Sequence, residues 1–111
     1  MKNFVQPGHT LTSIAPAGGI LSGAGLLDGS LFGVAGYDAA AGAEVEIDVV
    51  GVFDLAKTAA QAFARGDKVY WNNSTKLATS TSSGNSLIGA ATAVAGGSDA
   101  TVRVRLNGVT V

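Results

Sequence analysis

The chain contains no cysteine, which excludes disulfide staples and thiolate metal sites and is compatible with folding in a reducing compartment. It has a single histidine, His9, so a catalytic triad would depend on one residue set between Gly8 and Thr10. A strand-edge position suits His9 better than a general base. Charged residues make up 14% of the sequence and the net charge is −1, so the basic excess that nucleic acid and acidic membranes attract is missing. The longest weakly polar stretch, 15–27, is interrupted by Pro16, Gly18, Gly19, Gly23 and Gly25, whereas a membrane helix needs about 20 uninterrupted apolar residues. The first eight residues hold one lysine and no apolar run behind it, so they do not read as a signal peptide. No Gly-Lys pair occurs anywhere, and a phosphate-binding P-loop needs that lysine to neutralise phosphate charge. In Gly23-Ala24-Gly25-Leu26-Leu27-Asp28 an aspartate stands where the last glycine of a dinucleotide fingerprint belongs, and no helical pattern follows. These glycines read as turns.

What the sequence does have is alternation. Of its 111 residues 47% are hydrophobic and 16 are glycine, a length that suits one domain. Most of the apolar residues are small, so each buries little area at roughly 25 cal/mol per Å², and a thin core of this kind draws further burial from neighbouring subunits. The clearest strand spans 44–55. Its odd positions, Val45, Ile47, Val49, Gly51, Phe53 and Leu55, are apolar throughout. Its even positions begin as Glu44, Glu46 and Asp48 and continue as Val50 and Val52, so the second half is expected to be covered on both faces. Over 101–106, Val102, Val104 and Leu106 point one way and Thr101, Arg103 and Arg105 the other, before an Asn107-Gly108 turn. Further strands are expected over 9–14, 30–37, 67–71 and 87–95, with turn clusters at 39–42, 72–75, 80–85 and 96–99. The pattern predicts an all-β fold, a small single-domain β-barrel or sandwich of about six or seven short strands. One short helix is predicted over 58–64, with Thr58 as cap and Arg65-Gly66 as stop. Residues 1–8 read as an N-terminal arm and 9–111 as the β domain.

Candidate chemistry is sparse. Glu44, Glu46 and Asp48 share one strand face, and carboxylates there could serve acid–base work or bind calcium. Neighbours two apart on a strand lie about 6.5–7 Å apart, and nothing nearby in sequence completes a metal shell. A solvated or salt-bridged face is the better reading, with the Arg103 and Arg105 face as its natural partner. Arg65-Gly66-Asp67 and Asn72-Asn73-Ser74 match an integrin tripeptide and a glycosylation sequon, and both read as turns. Trp71 shares a face with Val69 and is expected in the core.

Several segments in order carry a resemblance. They are Gln6-Pro7-Gly8-His9-Thr10-Leu11-Thr12, Ala15-Pro16-Ala17-Gly18-Gly19, Leu31-Phe32-Gly33-Val34-Ala35 and Gly51-Val52-Phe53-Asp54-Leu55-Ala56-Lys57. Gly66-Asp67-Lys68-Val69-Tyr70-Trp71-Asn72, Ile88-Gly89-Ala90-Ala91 and Val102-Arg103-Val104-Arg105-Leu106-Asn107-Gly108 follow. Over nearly the whole chain this set resembles the capsid cement, or decoration, proteins of tailed phages and prophages. Members of that family have carried a label as RecA/RadA-type recombinases, against which the missing Walker lysine and basic face speak. The resemblance implies a β-rich structural protein, made in the bacterial host cytoplasm, that binds the outer capsid surface of the virion and reinforces the shell. It implies no catalytic residues to carry over. No cofactor is expected, and neither nucleic acid nor membrane as a partner.

The expected partners are the major capsid protein and further copies of the chain, a trimer being favoured. From pattern alone, Phe4, Val5 and Pro7 of the arm are the capsid-contact candidates, and Val50, Val52, Arg103 and Arg105 the subunit-interface candidates. Two other classes stay open: a head-completion or tail component, and a small ligand-binding β-barrel built on Trp71, Tyr70 and Tyr37.

Overall fold

The computed structural model describes residue 3 and residues 8–111. The described residues form nine strands in two antiparallel sheets. The first sheet holds β1 (Thr10–Ile14), β2 (Gly25–Asp28), β3 (Leu31–Ala35) and β4 (Glu44–Asp48), in the order β1-β4-β3-β2. The second holds β5 (Val50–Ala56), β6 (Lys68–Asn72), β7 (Leu77–Thr79), β8 (Ser86–Ala91) and β9 (Thr101–Asn107), in the order β5-β9-β8-β6-β7.

The all-β expectation stands, with corrections in detail. The alternating run 44–55 is two strands in two sheets rather than one. The chain changes sheet at Val49, whose side chain is buried and whose N–H donates to the His9 carbonyl at 2.9 Å. Before this point the strand pairs with β1 and β3, and after it with β9. Short strands β2 and β7 were not expected from the sequence, and β8 ends at Ala91 rather than at 95.

The predicted helix over 58–64 is absent. Ala60 adopts a φ of 66°, outside the right-handed helical region. Phe63 instead bridges Ala95 with two hydrogen bonds of 2.9 Å, and its ring is 2% exposed. Alanine propensity in a two-turn segment is worth little against burying a phenylalanine. Lys57 pins this loop from inside. It is buried, and its Nζ donates to the carbonyls of Gln61 at 2.6 Å, Gly97 at 3.4 Å and Thr58 at 3.5 Å.

The five-stranded sheet curls into a half-barrel. A parallel bridge joins Lys57, just past β5, to Ala78 in β7, and the Thr58 N–H donates to the Ala78 carbonyl at 2.8 Å. Between β6 and β8 the register shifts, from Val69 opposite Gly89 to Tyr70 opposite Leu87, so Ile88 is an extra residue turned into the core. Next to this bulge, β8 and β9 press together at Gly89, where an added Cβ would collide with the Arg105 backbone carbonyl. The first sheet curls as well: the Ser13 hydroxyl of β1 donates to the Asp28 carboxylate at the end of β2, 2.7 Å away, although these are its two outer strands.

Two apolar clusters follow from this layout. The larger fills the half-barrel with Leu55, Phe63, Val69, Trp71, Ile88, Val102, Val104 and Leu106, and takes in Phe32 and Val34 from the first sheet. Trp71 is 3% exposed, as expected, and stacks obliquely on Phe32 with ring centroids 4.9 Å apart. The smaller cluster lies inside the first sheet, where Val45, Ile47 and Ala35 meet Ala15, Ile20, Leu26 and Val49.

Candidate interaction surface

The sheet faces that point away from these clusters carry the exposed functional candidates. On the half-barrel, cross-strand register sets Val52, Arg105, Ala90 and Lys68 in one rank over β5, β9, β8 and β6. Arg105 and Lys68 are exposed, and Val52 is 53% exposed. Beside this rank Arg103 faces Asp54 and forms a two-pronged ion pair, Nε to Oδ1 at 3.0 Å and Nη2 to Oδ2 at 3.2 Å. The guanidinium hydrogen bonds hold the Asp54 carboxyl below its ordinary range and push Arg103 above its own.

The sequence-predicted subunit-interface residues Val50, Val52, Arg103 and Arg105 therefore come together on one outer ladder, β5 with β9. Val50 is half-buried against the smaller cluster, and Val52 is exposed rather than enclosed on both faces by the described residues. The capsid-contact candidates Phe4, Val5 and Pro7 lie outside the described residues.

The expected pairing of Glu44, Glu46 and Asp48 with Arg103 and Arg105 does not occur. Because the chain switches sheets at Val49, β4 lies between β1 and β3, and the arginines lie opposite β5. Asp48 instead accepts a 2.7 Å hydrogen bond from the Thr10 hydroxyl. Glu44 and Glu46 are exposed opposite Ile14 and Thr12, with no salt bridge among the described residues. Among these residues no group of His, Cys, Asp or Glu is placed to hold a metal ion.

One feature has no counterpart in the sequence pattern. An apolar groove of about 880 Å³ lies between the 16–25 loop and the end of β5, its walls including Gly19, Ile20, Leu21, Leu55 and the edge of Trp71. Its charged side chains are already engaged: Asp38 accepts the Ser22 N–H at 2.7 Å, and Lys76 donates to the Asn73 side chain at 2.7 Å. The groove is assembled from segments far apart in sequence, so no local signal announces it.

The two curled sheets define a small all-β protein that leaves Ile14, Tyr37 and Val52 exposed amid charged side chains on its outer faces. A family model described as phage cement protein matches residues 5–106. The chain belongs to the phage cement protein family, and with it to the structural proteins associated with phage capsids. No curated protein and no solved structure matches the chain.

Proposed function

We propose that this chain binds the outer surface of a tailed-phage head, contacts the major capsid protein and strengthens the shell, without catalysing a reaction. The match to the cement family over residues 5–106 carries this reading. The uncovered Val52 and the open charged sheet faces support it, since a protein that acts by contact needs such surfaces. Cement at a capsid's threefold positions touches several capsomers at once, and linked weak contacts give avidity. A trimer using the Val50, Val52, Arg103 and Arg105 ladder fits that requirement. The 1–8 arm, with Phe4, Val5 and Pro7, serves as the capsid tether.

Copy number tests the reading. On purified heads a cement protein appears in numbers comparable to the capsid protein, whereas a head-completion or tail component appears only a handful of times. Removing residues 1–7 is expected to leave the melting temperature of the β body unchanged and to reduce retention on heads. Full retention of the truncated chain would remove the arm from the account.

A further inference from the structure

We propose that copies of this chain associate head to tail, the outer face of β1 and β4 in one copy seating on the outer face of β5, β9, β8 and β6 in the next. This rests on the self-association proposed above and adds which faces meet.

The first face is acidic. Thr12 lies opposite Glu46 and Ile14 opposite Glu44, and all four are exposed. Ile14 is 56% and Tyr37 46% exposed, and the Tyr37 hydroxyl accepts the Glu46 N–H at 3.3 Å, which sets its ring beside the same strand. Neither glutamate has a cation within salt-bridge distance among the described residues.

The second face is its complement. Arg105 and Lys68 flank the small Ala90, with exposed Val52 at the end of the rank. Of the nearby carboxylates, Asp54 is committed to Arg103, and Asp67, next to Lys68, accepts the Ala64 N–H at 2.8 Å. Arg65, which donates to the Thr92 carbonyl at 3.2 Å, adds a third positive charge past the end of β8. Each face thus combines uncovered apolar residues with charge predominantly of one sign, and the predominant signs are opposite.

Spacing agrees. Arg105 and Lys68 stand two strands apart, about 9.5 Å, while Glu44 and Glu46 are about 6.5–7 Å apart along one strand. The long arms of arginine and lysine span that difference while their stems cover apolar surface. Because the two faces differ, the contact is heterologous, and its repetition closes a ring or runs on as a filament. A closed ring is the form a trimer takes.

The absence of cysteine allows a direct test. The full-length Glu46→Cys and Arg105→Cys variants, purified separately, are mixed and oxidised. The expected product is the mixed disulfide, well beyond the twofold excess over each homodimer that random pairing gives. In parallel, light scattering across a concentration series at low salt follows the wild type, the Glu44→Lys/Glu46→Lys variant, the Lys68→Glu/Arg105→Glu variant and the chain carrying all four changes. Each single-face reversal is expected to weaken association about tenfold or more by setting like charges across the contact, and the fourfold variant to restore it. The exchanged residues are exposed, and circular dichroism is the check that each variant folds. A wild type that stays monomeric, a mixed disulfide at or below the statistical twofold ratio, or reversals without effect would each overturn the proposal. Retention on heads, measured with the same variants, separates the two readings: association without head binding would leave this proposal standing and sink the cement reading.

Discussion

The two sheets bury their interiors by different means. The half-barrel does so with large side chains: Phe63, Trp71, Ile88 and Leu106 are each at most 3% exposed. The first sheet closes on Val45, Ile47, Leu26 and several alanines, under a cover made by the 15–24 segment and Ala39 rather than by a second layer of strands. It also lends Phe32 and Val34 to the larger cluster. The larger apolar cluster therefore belongs to the half-barrel, and Phe32 and Val34 tie the first sheet to it. Stability is unevenly distributed when burial is.

The largest expected effect comes from cutting that contact. Trp71→Ala removes the ring that stacks on Phe32 at 4.9 Å and should cost about 3–5 kcal/mol, a large part of a typical domain's stability of roughly 5–15 kcal/mol. Chemical denaturation is the check. A variant that unfolds like the wild type and loses only head binding would make Trp71 an interface residue and break the comparison.

A milder change sharpens it. Ile47→Val, in the smaller cluster, should cost about 0.5–1.5 kcal/mol and should speed amide exchange in β1 and β4 before β6 or β8. Equal acceleration in both sheets would show that they unfold as one unit.

The smallest effect is expected at the Arg103 and Asp54 pair, whose side chains are 57% and 49% exposed. The Asp54 carboxyl is held below its usual range, so its contribution is fully present above the ordinary aspartate value and is lost as pH falls through the lowered one. Solvent screens such a pair. Asp54→Asn should leave the neutral-pH melting temperature nearly unchanged and only flatten its decline in acid. A large drop at neutral pH would mean that the half-barrel depends on this surface pair.

The fold class and most strands were legible because alternation is local. Val45 and Ile47 face a core, and Val102, Val104 and Leu106 do so as strictly as their spacing demands. The sheet switch at Val49 was not legible, since the odd-position alternation runs straight through it and Gly51, whose φ is 122°, falls two residues later within that pattern. That one event also misdirected the charge pairing, because which strand lies beside β4 is a non-local fact. The 58–64 segment misled through its alanines, while its real determinants are Phe63 pairing with Ala95 and the buried Lys57. β7, at three residues, is too short to leave a pattern. Of the candidate surface, the two arginines were legible as outward-facing residues, whereas Val52 was expected to be covered on both faces. The acidic and basic faces could be told apart only once the two sheets were known.

The central claim is that the chain reinforces a phage head from outside. The direct measurement uses heads assembled without it, to which the purified chain is added back, and records occupancy together with the temperature at which packaged DNA is released. The expected result is saturable binding to the outer surface and a release temperature that rises with occupancy. Heads that take up no chain, or that release DNA at the same temperature when fully occupied, would contradict it.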